Sequence, residues 1–243
     1  MARKKKFVKR NKKIKTKKNV KRKKKITRKY TKKRKCKKNI KRGGAKFIPN
    51  NTEELINKLN EFNIDISTWN IENGNKSVQQ LFDEIKSGDS VINIDNNNIY
   101  RSVKVANAVV LSDDKQYRLI EKAHLNKDKQ IVKERGNNVL SEKMDEDETV
   151  REAIIRGVQE ELGEKYSRNI VFLNKNSPAS IKNVEKSSYS YPGLKSMYTF
   201  YEKSIKIPQL TADFPPPHEI ITEEKKSNGD FKRYIVWEWV ENL

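Results

Sequence analysis

Glu148-Thr-Val-Arg-Glu-Ala-Ile-Ile-Arg156-Gly-Val-Gln-Glu160-Glu161-Leu-Gly163 is the stretch that decides how the rest of the chain is read. Val150, Ile154 (or Ile155), Val158 and Leu162 recur every three to four positions, the spacing of a helix that turns one apolar face to a sheet. Glu148, Glu152, Arg156 and Glu160 follow one another at i, i+4 on the opposite side, with Glu161 beside them. A solvated charge ladder would account for Glu152–Arg156 and Arg156–Glu160 pairs at about 0.3 kcal/mol each. It does not account for adjacent Glu160 and Glu161, which repel unless a cation relieves them. Hard oxygen donors of this kind suit Mg²⁺ and Mn²⁺, which commonly take phosphate as a further ligand.

The spacing resembles the Nudix box, a pattern of Gly, five residues, Glu, seven residues, then Arg-Glu-apolar-any-Glu-Glu-any-Gly-apolar. The register runs without a gap from Glu148 to Gly163. Four positions depart from it. Glu142 stands at the opening glycine and Ser141 at the glycine often found before it; Gly157 replaces the glutamate after the arginine, and Glu164 the closing apolar residue. The resemblance implies a Nudix-type α/β/α sandwich with a mixed sheet over residues 103–243. It also implies a Mg²⁺ or Mn²⁺ cofactor and water attack on phosphorus of a nucleoside diphosphate-linked substrate.

Carried over by position, Glu160 and Glu161 are metal ligands, Arg156 orients them, and Glu148 is a supporting acid. Ser141 or Glu142 supplies a main-chain carbonyl. In some family members the glutamate missing at 157 is a ligand or the general base, so the base here is open. Glu152, Glu219, Glu223 and Glu224 are the candidates. Arg118, Lys122 and Lys133 are candidates for substrate phosphate. Ser190-Tyr191-Pro192-Gly193-Leu194 resembles a segment of similar Nudix-like sequences, there as pocket lining, and reads equally as a plain turn.

Charge is segregated along the chain. Residues 1–46 hold 27 Lys and Arg and no Asp or Glu, so of 54 bases 27 remain to face 32 acids, a net of −5 in the remainder. Apolar residues of this tail stand singly among lysines, so a disordered arm is expected, suited to polyphosphate such as nucleic acid and to nuclear targeting. No apolar run approaches the ~20 residues of a membrane span, and no signal-peptide core follows Met1. Cys36 is the sole cysteine, which rules out an intrachain disulfide, and His124 with His218 cannot make a histidine-rich zinc centre. An intracellular protein of nucleus or cytoplasm is the expectation.

Between tail and box, residues 47–102 read as a small α+β leader. Asn51 with Glu54 makes a capping-box start for a helix over 52–62, and a second helix is expected over 77–86, stopped by Gly88. Val91–Ile94 and Ile99–Val103 alternate as strands around Asn96-Asn97-Asn98. With Trp69, Leu81, Gly88 and Arg101, this segment resembles the leader of some Nudix-like domains. Further strands are expected over 103–111, paired to 117–123 across a turn, and over 138–143, 170–173, 181–186, 197–205 and 234–240. Trp237 and Trp239 read as core. A second helix, on the other sheet face, is expected over 217–226. The function expected is thus a metal-dependent hydrolase, with capped RNA one possible substrate. The alternatives are a degenerate Nudix-like nucleotide- or RNA-binding module, or an adaptor led by its tail.

Overall fold

The computed structural model describes residues 44–243 other than 71, 175, 176 and 227. The disorder expected of the tail therefore lies, for residues 1–43, outside the described residues. The tail's last residues are ordered into strand β1 (Ala45–Phe47), which pairs with β2 (Val91–Asp95). Gly44 permits this, because a Cβ there would lie 2.8 Å from the Ile94 carbonyl oxygen.

Helix α1 (Thr52–Glu61) starts where Asn51 accepts from the Glu54 amide. Glu54 reaches back to the Asn50 amide rather than to Asn51. Helix α2 (Val78–Ser87) opens on a Ser77/Gln80 capping box and stops at Gly88, whose φ of 89° a side chain would resist. Leu55, Leu59, Leu81 and Ile92 pack there with Trp69, Tyr191 and Leu194. The 190–194 segment is thus a turn with two buried side chains, and the Trp69 indole donates to the Pro192 carbonyl at 2.9 Å.

β2 turns into the long strand β3 (Asn98–Val110), which crosses the expected 102/103 junction without a break, so leader and body share one sheet. Along one edge β3 carries β2 and then β6 (Leu140–Lys143); along the other it runs parallel to β9 (Lys195–Lys206) over Tyr100–Val110. β7 (Val171–Phe172) and β8 (Ser180–Ser187) flank β9 and complete this mixed sheet. A second, antiparallel sheet has the order β10 (Glu219–Lys225), β11 (Phe231–Glu241), β4 (Tyr117–Leu125), β5 (Ile131–Asn138).

Two expectations are corrected. β4 does not form a hairpin with β3: both edges of β3 are occupied, and only a Leu111–Arg118 bridge joins them before the chain changes sheet. Residues 217–226 are not a helix but β10, in which β-branched Ile220, Ile221 and Thr222 favour extended backbone and Ile220 and Glu224 alternate inward. The short helix before it is α5 (Pro208–Asp213).

Helix α3 (Val150–Glu161) spans the quoted stretch, and a single turn, α4 (Glu164–Ser167), follows Gly163. Ala153, Ile154, Val158 and Leu162 join Ala106, Ala108, Leu140, Ile205, Ile220, Ile235, Trp237 and Trp239 in a core drawn from α3 and both sheets. The chain is therefore a mixed α/β fold dominated by strands. Both tryptophans are buried, as core residues should be. Among the described residues, no helix is long and apolar enough to cross a membrane.

Candidate functional site

Thr149 and Glu152 fix the start of α3. The threonine side chain accepts from the Glu152 amide, and the Glu152 carboxylate accepts from the Thr149 amide at 2.9 Å. Glu152 is thereby spent as an exposed cap, and its carboxyl is held below the usual range by the Thr149 hydroxyl and amide. That leaves it a poor candidate for the base. The other end of the helix is anchored to β10: Thr222 donates to the Glu161 carbonyl at 2.6 Å while accepting from the Trp237 indole at 2.9 Å.

Between these ends, Arg156 gathers the acids. Its Nε and Nη2 donate to the two Glu148 oxygens at 3.0 and 2.9 Å, and Nη2 also reaches the Lys143 carbonyl at 2.6 Å. Nη1 lies 3.2 Å from Glu142 and 3.6 Å from Glu160. The Glu148 hydrogen bonds, joined by the charges of Glu142, Glu148 and Glu160, outweigh the burial that disfavours the charged guanidinium and hold Arg156 firmly protonated. The arginine thus grips Glu148 and Glu160, two of the acids expected beside it, and a third, Glu142.

Glu161 lies differently. Its residue is only partly exposed, and among the described residues no side chain makes a hydrogen bond or ion pair with its carboxylate. Burial, followed by the negative charges of Glu121, Glu142 and Glu224, pushes its carboxyl well above the usual range, with Arg233 opposing. Glu142 is pushed the same way, first by burial and then by Glu160, against the pull of Arg156. Among the described residues, no three acidic, histidine or cysteine side chains form a ready-made coordination shell. Glu142, Glu148 and Glu160 are turned onto Arg156 instead. As donors, though, they are carboxylates alone, the hard oxygen set that Mg²⁺ and Mn²⁺ favour.

Of the three C-terminal acids considered as a base, Glu224 is buried and its charge acts on Glu161; exposed Glu219 pairs with Lys122, and Glu223 faces Lys225 at 3.9 Å. Lys122, considered for substrate phosphate, is consequently occupied, Lys133 is exposed on β5, and the Arg118 Nε is buried without a partner among the described residues.

Sequence reasoning missed a row of charges across the second sheet. Lys232 and Arg233 pair with Glu224, Arg233 Nη1 meets His124 Nδ1 at 3.2 Å, and His124 Nε2 meets Glu121, which Arg135 Nε also contacts at 2.9 Å. A donor facing Nδ1 and a carboxylate facing Nε2 select the neutral Nε2–H tautomer. Burial depresses the His124 pKa in the same sense, against Glu121. No local pattern announces this row, because β-sheet register joins its two halves through Arg233 and His124, 109 positions apart. No protein-family model matches the sequence, and no curated protein matches it.

Proposed function

We propose that the protein is a metal-dependent Nudix-type hydrolase. In this reading water attacks one phosphorus of a nucleoside diphosphate-linked substrate. The observation that carries the proposal is the acid cluster along α3: Arg156 draws Glu142, Glu148 and Glu160 together, and the neighbouring Glu161, partly buried, is paired with no described side chain. A partly buried carboxylate near like charges is costly, and a divalent cation is the natural relief. Glu160 and Glu161 would hold Mg²⁺ or Mn²⁺, which when bound neutralises phosphate oxygens and acidifies water.

The chain's own residues do the rest. Arg156 holds Glu148 and Glu160 in place, and Thr222 fixes the backbone of Glu161. A carboxylate of the cluster takes the proton released as water's oxygen bonds to phosphorus and the bridging P–O bond breaks. The strand-rich mixed fold with α3 against it is consistent with a Nudix sandwich. The basic tail favours substrates attached to RNA, capped ends among them. Gly157 favours a second reading, a module that binds nucleotide and metal without turnover.

The test is product release by the purified full chain with Mg²⁺ and then Mn²⁺ on capped RNA, dinucleoside polyphosphates, nucleotide sugars and nucleoside triphosphates. Glu160→Gln/Glu161→Gln is run beside it. Metal-dependent turnover that vanishes in the double variant supports the hydrolase. Metal binding without turnover favours the module, and neither binding nor turnover refutes both.

A further inference from the structure

At Gly157, α3 packs directly over Glu142 of β6. A Cβ at 157 would lie 3.0 Å from the Glu142 Cβ, 3.1 Å from Leu140 Cδ2 and 3.5 Å from the Glu142 Cγ. Ordinary carbon contacts are at about 3.5–4.0 Å. Side chains at 157 and 142 therefore compete for one space, and this chain fills it from the strand. The Glu142 side chain is only 18% exposed, accepts from the Lys143 amide at 3.0 Å and reaches Arg156 at 3.2 Å. The same guanidinium grips Glu148 and Glu160, so Glu142 is aimed into the cluster rather than toward solvent.

We infer that Glu142 is a third metal-binding carboxylate of this site, entering from β6 through the gap that Gly157 leaves in α3. This rests on the metal-dependent reading above. It recasts two departures from the box as a single exchange: an acid removed from the helix at 157 and an acid supplied from the strand at 142. Neither change alone suffices. Glutamate at 142 needs glycine at 157 for room, and glycine at 157 leaves the site short of an oxygen donor unless 142 supplies one.

The test is Mn²⁺ affinity of the full chain, read from the electron paramagnetic resonance signal of free Mn²⁺, with unfolding midpoints measured in chelator. Glu142→Gln keeps the shape of the side chain and removes its charge. It should retain the wild-type midpoint closely and weaken Mn²⁺ binding by roughly ten- to a hundredfold. Glu142→Gly should bind as weakly. Glu142→Gly/Gly157→Glu, which returns the acid to the helix, should recover most of the affinity; bulk or net charge alone would not produce that recovery in Glu142→Gly/Gly157→Ala. Glu164→Gln, an exposed acid paired with Arg168, serves as the charge control and should bind as wild type. Wild-type affinity in Glu142→Gln, with binding lost in Glu160→Gln/Glu161→Gln, overturns the inference and leaves the hydrolase reading standing. A folded Glu142→Gly/Gly157→Glu that stays weak overturns the exchange. Absence of Mn²⁺ binding by the wild-type protein overturns the inference and that reading together.

Discussion

Gly157→Ala sets two effects of opposite sign against each other, and the structure decides between them. In a helix interior, alanine is favoured over glycine by about 1 kcal/mol, from helix propensity and a less flexible unfolded chain. Against this stand contacts of 3.0 Å to the Glu142 Cβ and 3.1 Å to Leu140 Cδ2. Neither neighbour can swing aside. The Glu142 Cβ is fixed by the backbone of β6, where residue 142 pairs with Ala106 of β3, and Leu140 is 1% exposed within the core. Forcing one methyl into such a contact costs about 1–3 kcal/mol. The overlap therefore wins, and Gly157→Ala should destabilise by about 1 kcal/mol net. Urea unfolding in chelator, followed by far-ultraviolet circular dichroism, reads this as a lower midpoint at unchanged slope. In a Glu142→Gly background the nearest contact disappears. The same substitution should then cost less, with only the Leu140 Cδ2 overlap left against it, a coupling of about 1 kcal/mol in the double-mutant cycle. A midpoint raised by Gly157→Ala in the wild-type background would refute the reasoning, since it would mean that helix and strand are not in contact here.

Three further outcomes are expected. Glu84→Gln leaves Arg101, 3% exposed and 2.6 Å from the Glu84 carboxylate, without its buried partner, and should cost about 3–5 kcal/mol near neutral pH in thermal or urea unfolding. Burial raises the Glu84 pKa, but Arg101, Lys143 and Lys76 overcome it and depress it far below the ordinary 4.5. Wild-type stability from this group is therefore full above 4.5 and lost as pH falls toward the depressed value, whereas the glutamine variant lacks that acid-side loss. Thr222→Val strips the Trp237 indole of its acceptor and the Glu161 carbonyl of its donor, and unfolding should show a loss of about 1–3 kcal/mol, with weaker Mn²⁺ binding by the folded fraction. Removal of residues 1–43 should abolish sequence-indifferent RNA binding and its salt dependence, measured by fluorescence anisotropy against ionic strength, because 26 of the chain's bases lie there.

How far the sequence carried depends on the range of the forces involved. Helix α3 was legible because its cap, apolar period and terminating glycine all lie within 149–163. The β2–β3 turn was legible for the same reason, with Asn96 at a φ of 39°, a conformation asparagine tolerates. Where the answer depended on a distant partner, local reading failed. Strand 117–125 follows 98–110 so closely that a hairpin was the natural expectation; β9, almost a hundred residues on, takes the edge it would have used. The helix expected over 217–226 comes from the resemblance alone, and the β-branched Ile220, Ile221 and Thr222 of that segment extend it instead into β10.

The site divides along the same line. Arg156, Glu160 and Glu148 are brought together by one helix and the loop entering it, so spacing alone placed them. Glu121 and Glu224, whose charges act on Glu161, lie on β4 and β10 of the other sheet, and nothing in their neighbourhoods sets them apart from other glutamates. Glu142 and Gly157 form the intermediate case. Each departs from the box that the sequence resembles, one an acid at its glycine position and the other a glycine at its acid position, fifteen positions apart. Read singly, both argue for a decayed site. Only the strand-to-helix contact shows that they are opposite sides of one packing constraint, in which the space vacated at 157 is the space occupied at 142. A Cβ at 157 would lie 3.0 Å from the Glu142 Cβ, so both departures fall on one contact, as a compensating pair must.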